Sequence, residues 1–400
     1  MEEHINPKEV VERFNVDELC RSAENYFHTI ASSLPNPYPL TGKPFVDMIA
    51  APDVCYKLGL VLAGLKLGRT MKVLDFGAGT CWLSRYLNQL GCSTISIEPS
   101  ETALELGRQM FRDFPIMGDY IEEPIFLKFD GHKIDVPNGF VDRVVCFDVF
   151  HHIPNQESVL REIFRVLKPG GIAGFSEPGR IHSRQPHSQS EMRNYGVLEN
   201  DIFLEEIWEV ARVAGFSEIR ITPLCTIEPI LNIQDYIKII NEKVIPDGVG
   251  DIVADSLIGA AVFFFQKGKL MYDSRMPAGL RCEVSISRRE FRVRAGTPLK
   301  MDLVLKNTGE ARWLASNIKD IGKVRIGTHL YDQQGNLLDF NFYRCDLDGD
   351  VEPGQKVKKT IFPVFSKPGL YKLSIDMVSE FVAWFETLGG KSLNIQISVD

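Results

Sequence analysis

Between residues 72 and 266 the chain alternates two kinds of apolar spacing. Short, largely apolar runs at 73–74, 93–97, 125–129, 141–147 (apart from Asp142 and Arg143), 172–176, 219–224 and 260–266 have the length and density of buried strands. Between them apolar residues recur every three or four positions, as a helix with one buried face requires. Trp82, Leu83, Tyr86, Leu87 and Leu90 form one such face, and residues 100–111, 157–167 and 201–214 carry others. Ser100 is placed to cap its helix, Asn155 or Ser158 the next, and Lys168-Pro169-Gly170-Gly171 closes it. Strands alternating with helices predict a mostly parallel sheet covered on both faces. Upstream, Val10, Val11, Phe14, Leu19, Ala23, Tyr26, Phe27 and Ile30 predict a helix over 7–31, with Pro7 in its first turn. A proline-rich loop follows at 34–40, then a helix over 53–67. Residues 230–256 read as a partly helical insertion.

After about residue 281 the period changes to two. Alternating runs at 283–287, 299–306, 323–331, 357–365, 370–378 and 392–399 are separated by turn signals such as Asn307-Thr308-Gly309 and Glu352-Pro353-Gly354. This spacing predicts an all-β, immunoglobulin-like antiparallel sandwich. The organisation expected is a helical cap over 1–69, an α/β domain over 70–275, a linker at 276–279 and the sandwich over 281–400. A chain of 400 residues is long enough for two cores.

Composition narrows the function. A net charge of −8 argues against a general nucleic-acid binder. The acidic start MEEHINPKEV lacks the apolar stretch of a signal peptide, and the longest apolar run, 257–265, is far short of a membrane span. Eight dispersed cysteines without a C-x-x-C pair read as reduced thiols of a cytoplasmic protein, and no zinc spacing is present, so no metal is expected.

The chemistry concentrates in residues 72–98. Asp75 and Glu98 each end a strand, and Gly77-Ala78-Gly79 makes the turn after the first. Glycines there let a ligand approach the backbone, and Glu98, 19 residues beyond Gly79, is at the distance from which an acid accepts hydrogen bonds from ribose hydroxyls. The third glycine of a dinucleotide fingerprint would fall at Trp82, and Asp75 would repel a diphosphate. A nucleoside that carries an amino group and a sulfonium, S-adenosylmethionine, suits these residues better than NAD.

The string Asp75-Phe-Gly-Ala-Gly-Thr80 resembles motif I of the class I S-adenosylmethionine-dependent methyltransferases (type 11/12-like), and the similarity runs over about residues 70–270. Cys81 stands where the family often has a further glycine. The resemblance implies a Rossmann-like, seven-stranded mixed sheet with the last strand, 260–266, antiparallel, and N-terminal helices that cover the cofactor. It implies cofactor contacts from Asp75, Gly77, Ala78, Gly79, Glu98, Pro99, Asp130, Gly131, Asp148 and Val149, with Asp130 on the adenine amino group. The segment Asp148-Val-Phe-His-His-Ile-Pro154 matches the family's acid followed by histidines beside the transferring methyl. His151, His152, Glu177 and His182 all lie at or beyond strand ends, and histidine titrates near neutrality, so these are the candidate catalytic groups. The polar stretch 178–200 reads as an acceptor-binding loop.

Asn307-Thr-Gly…Trp313, Tyr331-Asp-x-x-Gly335 and Pro368-Gly…Trp384-Phe385 resemble the carbohydrate-binding β-sandwich that ends some O-antigen ABC transporter ATPases. That likeness implies sugar stacking on Trp313, Tyr343, Trp384 or Phe385, whereas the ordinary place for such rings is the core. The combined expectation is O-methylation of a sugar or glycan intermediate of surface-polysaccharide assembly, with His152 or His182 as base. The alternatives are a methyltransferase of a small metabolite or lipid whose sandwich makes a homodimer, a non-catalytic glycan-binding scaffold, and, weakest, an NAD dehydrogenase. The partner expected is a small-molecule or glycan acceptor, with no nucleic acid and no membrane span.

Overall fold

The computed structural model describes residues 4–36, 38–224, 233–243 and 248–400. Its contacts divide the chain into two units, residues 1–67 with 71–270, and residues 68–70 with 271–400. The boundary therefore falls between Leu270 and Met271 rather than at 276–279, and the N-terminal helices belong to the same unit as the α/β sheet.

In the first unit the described elements are α1 (Pro7–Arg13), α2 (Val16–Ser33), α3 (Tyr38–Thr41), α4 (Ala50–Leu65), β1 (Lys72–Phe76), α5 (Trp82–Gln89), β2 (Ser93–Glu98), α6 (Glu101–Asp113), β3 (Ile125–Lys128), β4 (Val141–Phe147), α7 (Gln156–Val166), β5 (Leu167–Pro178), α8 (Pro186–Tyr195), α9 (Leu204–Ala214), β6 (Glu218–Pro223), α10 (Ile233–Glu242), α11 (Val249–Gly259) and β7 (Ala260–Gln266). The sheet order is β3-β2-β1-β4-β5-β7-β6, parallel throughout except that β7 runs antiparallel to β5 and β6. Leu74, Phe76, Val144, Cys146, Phe175, Phe263 and Phe265 bury one face; Val73, Val145, Ile172, Val262 and Phe264 bury the other. Burial on both faces explains why these strands read as continuous apolar runs. Strand order reverses at β1, between β2 and β4, and such a switch opens a crevice at the carboxyl ends of the strands.

Several local expectations are corrected. The helix expected over 7–31 is two helices. Phe14 is extended, and Asn15 with Glu18 forms a capping box that starts α2: Asn15 Oδ1 accepts from Glu18 N at 2.9 Å, and Glu18 Oε2 accepts from Asn15 N at 3.0 Å. The stretch 178–200 is not a loop but a short 3-10 turn, His182–Arg184, and α8, which Pro186 opens and Gly196 ends at φ +69°. Residues 168–171 do not sit outside the sheet; β5 already contains them, with a register shift between Val141 and Arg143. The insertion read at 230–256 is seen as α10 and α11, and residues 230–232 and 244–247, Pro37 and Cys225 lie outside the described residues.

Two charges inside β4 have a structural reason. Asp142 Oδ2 accepts from Lys72 N at 2.8 Å, which ties the start of β1 to β4, and Lys168 pairs with Oδ1 at 3.0 Å. Arg143, 4% exposed, donates to the carbonyls of Leu65 (2.5 Å), Lys66 (3.1 Å) and Asp142 (2.7 Å), so it satisfies the last carbonyls of α4.

The second unit contains β8 (Tyr272–Asp273), β9 (Cys282–Ile286), β10 (Glu290–Val293), β11 (Met301–Asn307), β12 (Ala311–Arg312), β13 (Val324–Asp332), β14 (Leu337–Asp346), β15 (Lys356–Ile361), β16 (Gly369–Ser379), β17 (Ala383–Trp384) and β18 (Leu393–Val399). One sheet runs β10-β18-β16-β13-β14 with β17 on β16, another runs β15-β11-β9, and Leu303, Leu305, Ile326, Leu373, Ile375 and Ile395 share one core. The unit is therefore all-β, with β10 parallel to β18 and the rest of the two main sheets antiparallel. Trp313 and Phe385 are fully buried, with ring centroids 5.5 Å apart, which removes both as stacking surfaces. Tyr343 is half-buried, and its hydroxyl accepts from Phe362 N at 3.2 Å. Trp384 is half-buried against Gly327, where a Cβ would come within 2.5 Å of the indole, and Arg344 lies over its ring at 4.3 Å.

Replacing Arg143 by Met would leave the Leu65 and Lys66 carbonyls unsatisfied inside the domain. The expected cost is about 2–4 kcal/mol, read as a lower urea midpoint; an unchanged midpoint would mean that these bonds do not hold α4 to the sheet.

Candidate functional site

The carboxyl ends of β1, β2 and β4 open into a cavity of about 390 Å³, within the roughly 300–1,000 Å³ of small-molecule sites. Its floor is the turn after β1. Gly77 N and Ala78 N both donate to the Ile97 carbonyl, at 2.8 and 3.0 Å, so the turn is clamped to β2. Gly77 and Gly79 take φ of +67° and +51°. A Cβ on Gly77 would strike Val149 at 2.1 Å, and one on Gly79 would point into the space below Phe27, 3.5 Å away. Cys81, where the family often has glycine, itself adopts φ +60°, a backbone conformation that glycine takes without strain.

Glu98 closes the other side. It lines the cavity, is 5% exposed, and accepts from Gly79 N at 3.0 Å and Ser100 N at 3.2 Å. Burial pushes its carboxyl up to about 7 against those two donors. Ala78, Pro99, Gly131, Asp148 and Val149 also line the cavity, so most of the cofactor set expected from sequence converges there. Asp75 does not. It is 2% exposed, lies beneath the turn and accepts from Ser84 Oγ at 2.7 Å; Ser84 in turn accepts from Ser96 Oγ at 2.7 Å. Its carboxyl, raised by burial to about 6, fastens α5 to the sheet instead of facing a ligand. Asp130 is exposed and accepts from the backbone N–H groups of His132 and Lys133, both at 2.8 Å, which hold it below the usual carboxylate range. It shapes the loop that presents Gly131, whose carbonyl accepts from Asn155 Nδ2 at 2.9 Å.

Of the four catalytic candidates only His152 lines the cavity. Its Nδ1 lies 2.6 Å from the Leu198 carbonyl, which can only accept. Nδ1 therefore carries the proton and Nε2 the lone pair. Nε2 has no hydrogen-bond partner among the described residues. His151 lies behind it, with Nδ1 2.7 Å from Glu177 Oε2. Glu177 is 1% exposed and accepts from the backbone N–H groups of Val149, Phe150 and His151 at 2.8–3.2 Å. Burial drives Glu177 up to about 8 and both His151 and His152 down to about 4. His182 donates from Nε2 to Glu199 Oε2 at 2.6 Å. Glu199 also lies 3.4 Å from His152 Nδ1 and 3.8 Å from His151 Nε2. Ligand atoms of His151, His152 and Glu199 fall within 4.8 Å of one another, a spacing that a small cation could use, while Nδ1 of both histidines and Oε2 of Glu199 are engaged in these hydrogen bonds.

Sequence reasoning missed part of the wall. Tyr26 and Phe27 of α2, packed edge to face at 5.3 Å, line the cavity with Lys43, Asn155, Glu191 and Leu198. The apolar period of α2 placed Tyr26 and Phe27 on one helix face without telling a packing face from a ligand face. Glu191 lay in the segment read as a loop, and nothing in the local sequence marks Glu199.

Residues 74–175 match the methyltransferase domain family, so the chain carries a class I S-adenosylmethionine-dependent methyltransferase domain. Among curated relatives, a sarcosine/dimethylglycine N-methyltransferase of Halorhodospira halochloris is 38% identical over 28% of this chain and 39% of its own length. A ubiquinone biosynthesis O-methyltransferase of Pectobacterium atrosepticum is 28% identical over 27% of this chain and 43% of its own. The chain thus spans about two-fifths of the length of the curated relatives it matches. A solved structure, Haemonchus contortus phosphoethanolamine N-methyltransferase 2 in complex with S-adenosyl-L-methionine, matches with a TM-score of 0.44 at 14% identity, covering 64% of this chain and 60% of that one. The residues present fit this cofactor: the glycine turn leaves room for a nucleoside and Glu98 presents a carboxylate for its ribose.

An ionised Glu98 is the form that would accept from two ribose hydroxyls, so affinity for S-adenosylhomocysteine should rise with pH and level off above about 7. In calorimetric titrations Glu98→Gln should bind about 10–100-fold more weakly and lose that pH dependence; wild-type affinity from the variant would remove Glu98 from the site.

Proposed function

We propose that this chain transfers a methyl group from S-adenosylmethionine to a hydroxyl of a small acceptor, with His152 as the general base. The observation that carries the reading is the His152 ring: Nδ1 is fixed as a donor by Leu198, which leaves Nε2 as the basic nitrogen of a residue that lines the same cavity as the glycine turn and Glu98. Bound S-adenosylmethionine supplies a methyl group whose bond to sulfur breaks, the electron pair going to sulfur, as the acceptor oxygen bonds to carbon. His152 Nε2 takes the hydroxyl proton as that bond forms. Tyr26, Phe27, Leu40, Ile153 and Val197 give the acceptor end an apolar wall that excludes water and aligns the acceptor. His152 is neutral at pH 7, so Nε2 keeps its lone pair for the acceptor proton.

The acceptor class drawn from the sequence is a sugar. Its support in the second unit is reduced to Tyr343 and Trp384, both half-buried, because Trp313 and Phe385 are core residues. The cavity supports the broader class, a compact hydroxyl compound with an apolar face. The dispersed thiols, none of them in a disulfide among the described residues, support a cytoplasmic setting. No described helix is long and apolar enough to cross a membrane.

A second reading, N-methylation of an amine, is favoured by Glu191, whose carboxylate lines the cavity alongside the rings of Tyr26 and Phe27, a combination that suits a cation. The sarcosine/dimethylglycine N-methyltransferase relative supports the same reading.

Methyl-labelled cofactor offered with sugars, phenols and amines separates the two. Label should enter a hydroxyl compound, and His152→Ala should lower turnover at least about 100-fold while S-adenosylhomocysteine binds as before. Label confined to amines, or unchanged turnover in the variant, would overturn the hydroxyl reading.

A further inference from the structure

The His152 base is not held by Leu198 alone. Glu199, 4% exposed at its side chain, is the one carboxylate among the described residues within 4 Å of all three histidines of the cluster. Its Oε2 accepts from His182 Nε2 at 2.6 Å, and its Oε1 lies 3.4 Å from the protonated Nδ1 of His152. Ser188 Oγ, 3.3 Å from the same His182 nitrogen, fixes His182 from α8. The remaining acid of the cluster, Glu177, is already committed to three backbone N–H groups and to His151 Nδ1.

We propose that Glu199 is the positioning residue of a Glu199–His152 pair: with Leu198 it keeps the proton on Nδ1, and it stabilises the imidazolium that forms when Nε2 takes the acceptor proton, while His182 holds the Glu199 carboxylate in place. This rests on the reading of His152 as the base. The step balances without another reactant. The acceptor proton moves to Nε2, the Nδ1 proton stays where it is, and the positive charge appears 3.4 Å from a carboxylate. An acid that orients a histidine and stabilises its protonated form, without itself taking the proton, is a recurring way to tune a base.

The electrostatics supply the needed sign. Burial pushes Glu199 upward, but the His182 hydrogen bond counters it and the carboxyl lies below the usual range, so it is ionised near neutrality. Its charge pulls the His152 value upward against burial and against the His151 ring, whose centroid is 3.9 Å away. The other groups that act on His152 are Glu177, which also raises it, and Glu191 from α8.

Nitrogen-15 NMR of histidine-labelled full-length protein tests this without knowledge of the acceptor. The His152 signals are identified by their loss in His152→Gln. In the wild type His152 should be the Nδ1–H tautomer at pH 7. In Glu199→Gln its titration should move to lower pH by about one unit, with a mixture of tautomers, while affinity for S-adenosylhomocysteine is unchanged. Glu199→Asp, which keeps the charge, should titrate between the two and carries the test if the Gln variant does not fold. Superimposable His152 titrations in wild type and Glu199→Gln, or an Nε2–H tautomer in the wild type, would overturn the pair. With an acceptor in hand, Glu199→Gln should lower kcat about 10–100-fold at an unchanged KM for cofactor. If His152→Ala turned over normally, the base reading itself would fail; a Glu199→Gln titration that matched wild type beside an inactive His152→Ala would sink the pair alone.

Discussion

A carboxylate buried at the end of a parallel strand must find N–H or O–H donors, and in this domain it finds them in the loop or helix of a neighbouring element. Glu98, which ends β2, accepts from Gly79 in the turn after β1. Glu177, near the end of β5, accepts from three successive N–H groups after β4. Asp75, in β1, accepts from Ser84 on α5. Each acid stitches two crossovers together where the sheet itself has run out of hydrogen bonds. The crevice is then rigid enough for Gly77 and Gly79 to keep positive φ while Val149 closes over the turn.

The alternation of runs and periods made the strands of the sheet legible, because strands buried on both faces leave an unmistakable apolar density, whereas the antiparallel direction of the last strand followed only from the family resemblance. The turn and Glu98 were legible because their chemistry depends on residue type at a fixed separation. Asp75 was misread for a reason that spacing cannot reveal: a strand-end acid has two sides on which to turn, and the side is decided by Ser84 and Ser96, two helix and strand residues with no motif of their own. The break at Phe14 was hidden because the apolar period continues across it, although Asn15 and Glu18 carried a capping signal. The α8 helix was hidden by its composition, since polar residues dominate its ten positions and only Pro186 and Gly196 mark its ends.

In the second unit, alternation located the central strands but not β14, whose first half is exposed and therefore lacks a buried face to impose period two. Two rings of the aromatic motif, Trp313 and Phe385, serve the core. Trp313 and Phe385 are far apart in sequence because they join different parts of one core, which is where two large rings cost least to bury.

The two ends of the cavity are tuned in opposite senses by the same cause. Desolvation raises Glu98 and Glu191, which line it, and lowers His152, so burial alone favours neutral groups throughout. The cationic side chain in the wall is Lys43, against carboxyls on Glu98, Asp148 and Glu191. A ligand that carries a positive charge works against desolvation at both acids and restores their ionised forms, whereas a diphosphate would be repelled by them. The wall thus selects by charge before any contact selects by shape. At the histidine end the compensation is internal, because Glu199 supplies the negative charge that a transient imidazolium needs and His182 keeps that charge from being protonated.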